Sequence, residues 1–292
     1  MIEARIATGL VVHPDGTLSI AMEGRGPDGV VTVLLRAPPN LDRSKIQLEA
    51  ILPDRVHSLS LDGRGHRHAL GSDGHIWTDR MGTEWAALQV GDEQLTGIRC
   101  FQDEIFVVGE KGLRLRADWA GQQNQRYLDG QEPYFRALAG PRDNMWAVGD
   151  GGAMARFDGE RWSFAKGFPE IDLRAVAVLP SAVWVAGAQG AFWSLQGENW
   201  DDHSADELKS VTFCGFGAAK DAAFMAAGGD GLCRVSPEGL RFEDWNQPCT
   251  GLVQGRGVLY LLGGDELGIH DGERILRVSL GVQVDGGTPP EA

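Results

Sequence analysis

Short apolar runs separated by glycine turns recur along the whole chain. Most repeats contain a run that ends in Gly-x-x-Gly, as in Phe106–Gly109 followed by Gly112 and Trp146–Gly149 followed by Gly152. Further runs end at Gly71, Gly187, Gly228 and Gly263, the first copy at Leu18–Met22 is looser, and the seventh has Glu266 in place of its second glycine. Short runs that are apolar on both faces are typical of strands packed between two layers, and the glycines supply the positive φ angles of tight hairpins.

A second pattern precedes each of these runs. It consists of an apolar or small residue, a polar residue, a small residue and an aliphatic residue, and we call it the inner-strand motif. Its copies are Ala7–Leu10, Val56–Leu59, Leu95–Ile98, Phe135–Leu138, Leu173–Val176, Leu208–Val211 and Cys249–Leu252. The last residues of successive copies are 49, 39, 40, 38, 35 and 41 positions apart. Seven copies at a period near forty residues predict a repeat architecture.

A third pattern closes several repeats with a glycine turn before an aromatic residue. Asp158–Trp162 and Gln196–Trp200 are the clearest copies, and Asp271–Arg274 is followed by Ile275 instead. Each repeat therefore predicts four short antiparallel strands, which form the blade of a β-propeller. Since no segment keeps the 3.6-residue period of a helix, a parallel α/β fold is disfavoured. The sequence predicts an all-β fold, a seven-bladed β-propeller of four-stranded antiparallel blades.

The predicted propeller is a single domain, residues 1–284, followed by a flexible tail, residues 285–292. Its predicted blades are approximately 1–53, 54–93, 94–131, 132–169, 170–206, 207–247 and 248–284. The first inner-strand motif begins at Ala7 and the last repeat ends with Ile275–Leu280. Closure of the ring without strand exchange is therefore favoured, and a swapped strand is the alternative.

Blades four and five show a resemblance to known repeats. Trp146–Gly149 with Gly152, together with Asp158–Trp162, resembles the propeller repeats of photosystem II assembly factors and the BNR or Asp-box repeats of sialidase-type propellers. An Asp-box reads Ser-x-Asp-x-Gly-x-Thr-Trp, whereas Asp158–Trp162 is one residue shorter and lacks the serine. The resemblance implies the repeat type and the fold, and it identifies no functional subfamily. Propellers include both enzymes and binding proteins, so the function must be argued from the site.

The charge balance narrows the class of partner. The 292 residues include 41 acidic and 27 basic ones, which gives a net charge of −14. Nucleic acid requires a basic track and is not an expected partner, whereas an acidic surface accelerates the capture of a basic protein. No apolar run is long enough for a membrane helix, and the first residues do not have the pattern of a secretory signal. We expect a cytoplasmic protein without membrane contact.

Cysteine and histidine placement gives little support to a metal site. Cys100, Cys214, Cys233 and Cys249 include no Cys-x-x-Cys pair, so we expect buried thiols rather than disulfides or zinc ligands. His66 and His68 would share one strand face, with His57 and His75 in the same blade, and zinc binding there is the alternative. Because no carboxylate or thiol converges on them in the sequence pattern, we predict no metal and no cofactor.

The second position of the inner-strand motif supplies the candidate site. The innermost strand of a propeller blade begins near the mouth of the central channel, so these side chains should form a ring there. The predicted ring is Thr8, His57, Thr96, Arg136, Arg174, Lys209 and Thr250. Arg136, Arg174 and Lys209 lie in consecutive blades and predict a site for a carboxylate, a phosphate or an acidic side chain. The alternative is internal pairing with acids of the neighbouring loops.

The Gly-x-x-Gly turns supply such acids on the same face. They are Asp73, Glu110, Asp150, Asp230 and Asp265. One interpretation is a docking rim for a partner, in which Asp150 and Asp230 take part. The alternative is that aspartate is simply a good turn residue.

No catalytic signature accompanies these residues. The chain has no Gly-x-Ser-x-Gly, no His-Glu-x-x-His and no calcium-binding loop, so a non-enzymatic protein is favoured. We hypothesise a protein-binding scaffold that engages a basic protein partner through one face. A specific form is an immunity or inhibitor protein that neutralises a basic toxin domain. The alternative is a binder or hydrolase of an anionic small molecule or sugar at the channel mouth. A monomer is favoured, and an assembly-factor role has no support beyond the resemblance.

Overall fold

The computed structural model describes residues 2–284 except 28, 73, 83, 120–122, 128–132, 166–167, 198, 237–238 and 265, and except the side chains of 123–126. The predicted tail at 285–292 and the turn acids Asp73 and Asp265 lie outside the described residues. The helical segments of the described chain are 3₁₀ turns at Arg43–Lys45, Asp150–Gly152, Ala188–Gly190 and Asp206–Leu208. No described helix combines the length and the apolar character needed to span a bilayer.

Every blade is built from short strands that follow one another in the chain. Blades one to four contain β1 (Ile2–Val12), β2 (Leu18–Gly26), β3 (Gly29–Ala37), β4 (Gln47–Leu52), β5 (Val56–Leu61), β6 (Arg67–Gly71), β7 (His75–Thr78), β8 (Ala86–Gln89), β9 (Leu95–Cys100), β10 (Glu104–Gly109), β11 (Arg114–Asp118), β12 (Gln123–Tyr127), β13 (Phe135–Ala139), β14 (Met145–Gly149), β15 (Met154–Phe157) and β16 (Trp162–Phe164). Blades five to seven and the last strand contain β17 (Leu173–Val178), β18 (Val183–Gly187), β19 (Phe192–Gln196), β20 (Asn199–Asp202), β21 (Gly215–Ala219), β22 (Ala222–Ala226), β23 (Leu232–Ser236), β24 (Gly239–Phe242), β25 (Gly251–Gly255), β26 (Val258–Leu262), β27 (Glu266–His270), β28 (Ile275–Ser279) and β29 (Val282–Val284).

The sheets are arranged as a closed ring. Each blade is an antiparallel sheet in which four successive strands pair in chain order. The first strand of each blade contacts the first strand of the next, and β1 contacts β25, so these strands surround a central channel. The structure confirms the predicted seven-bladed β-propeller.

One strand closes the ring in a way that the sequence pattern did not predict. Blades one and seven are each made from continuous chain, so neither takes a strand from the other to complete its four. Instead β29 returns to blade one and pairs with the beginning of β1, with Ile2 opposite Val284 and Ala4 opposite Val282. Blade one therefore has five strands, and backbone pairing joins the first described strand to the last.

The hydrophobic core is divided among the blade interfaces. In β10, Ile105 and Val107 pack toward blade two, whereas Phe106 and Val108 pack toward blade four. A cluster of buried side chains of this kind lies at each of the seven interfaces. Because alternate side chains of a strand face opposite sides and both sides are covered, these strands have continuous apolar runs in the sequence.

Glycines at the second-to-third strand turn are required by the backbone. Gly152 has φ +74° and lies so close to the next connection that a Cβ there would be 2.1 Å from the carbonyl oxygen of Pro169. A Cβ on Gly149 would be 2.2 Å from the carbonyl oxygen of Tyr134. The Gly-x-x-Gly pattern therefore has a steric origin, and it places this turn against the beginning of an innermost strand.

Candidate functional site

The second position of the inner-strand motif is a β-bulge in the first five blades. Each of these strands carries one residue more than its partner at this point, and the extra residues are Thr8, His57, Thr96, Arg136 and Arg174. A bulge bends the strand and changes the direction of a side chain. These residues lie on the face of the propeller that carries the Gly-x-x-Gly turns, which we call the turn face.

The prediction for blade six is wrong by five residues. Leu208 ends a 3₁₀ turn in the connection to this blade, and β21 begins only at Gly215. The Cys214 amide donates to the carbonyl of Ala226 at 2.8 Å, as the Thr250 amide donates to that of Leu262 at 2.7 Å in blade seven. The motif of blade six is therefore Phe213–Phe216, with Cys214 at the second position.

Lys209 accordingly lies outside the ring. Its Nζ is 2.7 Å from Asp206 Oδ1, and the two side chains are 70% and 91% exposed. The segment Leu208–Val211 has the same polarity pattern as the true motif, whereas Phe213–Phe216 ends in an aromatic residue, which explains the error. The predicted cluster of three cations at the channel mouth is wrong.

Threonine and cysteine side chains in the ring connect strands. Thr96 Oγ1 donates to the carbonyl of Val108 at 3.2 Å and to that of Phe135, in the next blade, at 2.7 Å. Cys214 Sγ makes the equivalent contacts to two carbonyls at 3.5 Å. Thr8 and Thr250 donate to carbonyls of their own second strands at 3.4 and 3.3 Å. The geometry explains these positions by blade packing, while His57 lies half-buried at the same place.

Arg136 is held by an aspartate and a tyrosine. Its Nε and Nη2 donate to the two carboxylate oxygens of Asp150 at 2.9 and 2.7 Å. Its guanidinium carbon lies 3.7 Å from the ring centroid of Tyr134, whose hydroxyl donates to Gln94 at 2.6 Å. The hydrogen bond between Arg136 and Asp150 lowers the pKa of the aspartate and raises the pKa of the arginine. This two-bonded contact is the strongest geometry for such a pair.

Arg174 completes a balanced set of charges. Its Nη2 lies 3.0 Å from Asp172 and 3.7 Å from Asp150. Asp172 also accepts a hydrogen bond from the Gly151 amide at 2.9 Å, which ties this connection to the turn of the preceding blade. Two arginines therefore face two aspartates. Arg136 and Arg174 are thus paired with acids of the neighbouring loops, which was the alternative to a site for an external anion.

Exposed acids follow the turn face from blade four to blade seven. They are Glu170, Asp206, Glu207, Asp230 and Asp244, and we call them the acidic crescent. Asp230 lies in the Gly-x-x-Gly turn of blade six, and the others lie in connections between blades. Lys209 pairs with one of them, Asp206. The crescent leaves an excess of negative charge on this side of the disc.

Two histidines of blade two, His66 and His68, lie beside a buried carboxylate. Asp62 Oδ2 lies 2.9 Å from His66 Nδ1 and 2.9 Å from Arg80 Nη1, and the Asp62 side chain is fully buried. His68 stacks on Trp119 with a centroid distance of 4.0 Å, and burial lowers its pKa to about 4. Within the described part of the chain, no three histidine, cysteine or acidic side chains are arranged to hold a metal ion. The contacts of Asp62 thus have a structural explanation.

The central channel contains a cavity of about 500 Å³ that the sequence analysis did not identify. Innermost strands of blades one to four and seven line it, and its polar side chains include Ser58, Ser60, Arg99 and Gln254. Arg99 directly follows the inner-strand motif of blade three. The residues at the equivalent place in the seven blades are Val11, Ser60, Arg99, Ala139, Ala177, Gly217 and Val253. A comparison of these positions, once in register, would have singled out Arg99 by its charge.

A second cavity, of about 260 Å³, lies between blades five and six. Its walls are apolar and include Trp184, Phe192 and Phe216. The pairing of the first two strands explains this space. Blade six has the pair Ala218 and Ala223 at the place where blade five has the pair Val178 and Val183. Shorter side chains at these two positions leave an open apolar pocket at this interface, in which Ala223 is exposed.

Comparisons with known proteins support the fold and go no further. No family model matches the chain, and no curated protein matches it either. Among solved structures, the extracellular domain of the one-component system BT4673 from B. thetaiotaomicron is similar over 92% of this chain, with a TM-score of 0.69 and 15% identity. This chain spans 41% of the length of that protein.

Two further structures resemble the chain over most of its length. YCF48 bound to D1 peptide has a TM-score of 0.60 and 18% identity, over 77% of this chain and 81% of its own. The computationally designed Ika8 protein has a TM-score of 0.65 and 14% identity, over 94% of this chain and 86% of its own. These similarities confirm a β-propeller repeat protein, as the resemblance to assembly-factor and Asp-box repeats implied.

Proposed function

We propose that this chain is a non-enzymatic scaffold that binds a basic protein partner on its turn face. A propeller fold fits a protein-binding scaffold in general, since a closed ring of blades presents loops on a rigid frame. The observation that carries the specific proposal is the acidic crescent. Its five side chains are exposed, and the arginines nearest the channel mouth are already balanced by Asp150 and Asp172. The net charge of this face is therefore available to a partner.

Electrostatic complementarity would act mainly on the rate of association. Charges at an exposed rim steer a partner of opposite sign, and salt at physiological strength screens them over about 8 Å. A net charge of −14 extends this attraction to the whole molecule. A similar propeller, YCF48, has been solved with a peptide bound, which supports the use of this fold for a protein ligand.

A more specific form of the proposal is an immunity or inhibitor protein that neutralises a basic toxin domain. Its support is the acidic charge together with a rigid, rather small ring. The four free cysteines fit a reducing compartment and hence a cytoplasmic setting for the partner. In this form the captured partner should lose its toxic activity when the propeller binds.

Two charge-matched variants test the proposal. The crescent variant carries Glu170→Gln, Asp206→Asn, Glu207→Gln, Asp230→Asn and Asp244→Asn. The control variant carries Asp15→Asn, Asp103→Asn, Asp158→Asn, Asp221→Asn and Glu273→Gln, which change exposed turn residues on the opposite face. Both lose five acidic charges, so only the location of the change differs.

The measurement is stoichiometric co-purification from the native cell, followed by association kinetics with the captured protein. We expect the crescent variant to lose the partner or to associate at least about tenfold more slowly at low salt, and the control to behave like the parent chain. Equal effects of the two variants would refute the turn face as the docking surface. Failure of the parent chain to retain any stoichiometric protein would refute the scaffold function.

A further inference from the structure

Arg99 lies in the channel without a counter-charge. Within the described part of the chain, no acidic side chain lies within 4 Å of its guanidinium nitrogens, and no hydrogen bond to them is formed. Desolvation by the surrounding blades lowers the pKa of Arg99. The residue is nevertheless exposed, and the space to which it is exposed is the channel cavity. This contrasts with Arg136 and Arg174, which have partners.

An arginine that the neighbouring blades partly desolvate is more favourable with an anion beside it than alone. A buried or partly buried charge without a partner loses hydration that only a charged ligand or water can replace. The guanidinium presents a planar fork of donors that matches a carboxylate with two parallel hydrogen bonds. Side chains at the equivalent positions of blades four to six are short, namely Ala139, Ala177 and Gly217, so the space facing Arg99 is not filled from that side.

The walls of the cavity indicate the kind of anion. Leu10, Leu59, Ile98, Leu138 and Leu252 line it together with the polar groups of Ser58, Ser60 and Gln254. A single cation balances a single negative charge, and Arg99 is the one cation among the described residues that line the cavity, so a phosphate dianion would leave one charge uncompensated. The aliphatic side chains reach the cavity only at their edges and its exposed surface is more polar than apolar, so the carboxylate of a ligand rather than its body would carry the recognition.

We propose that the channel cavity binds a small monocarboxylate, its carboxylate held by Arg99 and its body lying between the polar side chains and the aliphatic residues of the innermost strands. A cavity of about 500 Å³ has room for a ligand the size of benzoate or hexanoate, since an apolar cavity of about 150 Å³ already accepts benzene. This site lies inside the ring and is independent of the acidic crescent.

Calorimetric titration of the whole chain with benzoate and hexanoate, in a chloride-free buffer, tests the proposal. We expect one saturable site, with binding of benzyl alcohol at least about tenfold weaker because it lacks the charge. Arg99→Met should reduce the affinity for benzoate at least tenfold, while Arg99→Lys, which retains the charge without the fork, should have an intermediate affinity. Arg64→Met is the matched control, because Arg64 is 52% exposed outside the channel, and its affinity should stay within twofold of the parent.

A crystal of the chain soaked in benzoate provides a second measurement that does not depend on any variant folding. Density for the carboxylate within hydrogen-bonding distance of the Arg99 guanidinium would support the assignment. Benzoate binding that survives Arg99→Met in a folded variant, tighter binding of inorganic phosphate than of benzoate, or no saturable binding of either acid would each overturn it.

Discussion

Replacement of Asp150 by asparagine measures how strongly the channel mouth depends on its internal ion pairs. The substitution Asp150→Asn keeps the size of the side chain and one acceptor oxygen, but removes the charge that faces Arg136 and Arg174. Arg136 loses one of two charge-assisted hydrogen bonds, of 2.7 and 2.9 Å. Arg174 retains Asp172 at 3.0 Å.

The expected cost follows from partial burial. A hydrogen bond to a charged group contributes about 1.5–3 kcal/mol when it is well shielded, and an exposed ion pair contributes about 0–1 kcal/mol. The side chains of Arg136 and Asp150 are 27% and 32% exposed, so we expect a loss of about 1.5 kcal/mol in the free energy of unfolding. With an unfolding entropy of about 2.1 cal/mol/K per residue, this corresponds to a decrease of about 2–3 °C in Tm.

A matched control separates the effect of burial on an ion pair from the effect of its N–O distance. Lys209 and Asp206 also approach to 2.7 Å, but their side chains are 70% and 91% exposed. Asp206→Asn should therefore leave Tm unchanged within error, although the two ion pairs are equally short. Urea unfolding at pH 7 measures both variants under the same conditions.

The pH dependence provides a further check. The pKa of Asp150 is lower in the folded protein than its usual value, so its contribution is complete above the usual carboxyl pKa and is lost as the pH falls through the folded value. The difference between the parent chain and Asp150→Asn should be constant from pH 7 to pH 5 and smaller at pH 3. Equal stabilities of parent and Asp150→Asn at pH 7, or a difference that grows on acidification, would refute the internal neutralisation of the arginines.

Three further outcomes are expected. Asp62→Asn should reduce the free energy of unfolding by about 3 kcal/mol in urea titrations, because the fully buried carboxylate loses its ion pairs with Arg80 and His66. The control Asp158→Asn should have no measurable effect, because an exposed asparagine can still accept the same backbone hydrogen bonds. Ala223→Val should raise the free energy of unfolding by about 0.5 kcal/mol, since valine occupies the equivalent place in blade five and would cover part of the open apolar pocket, and a lower Tm would contradict this account of the pocket. The thiols of Cys233 and Cys249 should react only slowly with a disulfide reagent at pH 8, because both are buried and burial raises the pKa of Cys249 to about 12 and that of Cys233 to about 11. Rapid labelling of these two would contradict the buried packing.

The fold could be predicted because its causes are local and repeated. Strands buried on both faces need continuous apolar runs, and the Gly149 and Gly152 turn needs positions without a Cβ, so both leave a pattern in every blade. The closing strand β29 leaves no such pattern, since three residues between turns have no period. Its pairing with Ile2–Ala4 depends on where the ring brings the two ends of the chain.

Site residues were harder to predict because the sequence does not show which charged side chains pair with each other in the folded chain. Arg136 and Arg174 both lie close to Asp150, but Asp172, which neutralises one of them, lies in a connection that the turn pattern did not include. Lys209 matched the polarity of the motif and lies in the connection before its strand. A four-residue pattern of polar and apolar positions is too short to fix a register when a similar segment lies five residues away.

The repetition of the blades also provides an internal comparison for function. Where a position makes the same contact in several blades, as the hydroxyls of Thr8, Thr96 and Thr250 do with a carbonyl of the second strand, packing accounts for the side chain. Arg99 differs from the residues at the equivalent place in charge and length, and no contact shared among blades explains it. In a fold built from seven similar blades, a side chain that differs from those at the equivalent place in the other blades is not explained by blade packing, so ligand binding becomes the alternative explanation. The channel, rather than the paired arginines at its mouth, is therefore the place to look for a small molecule.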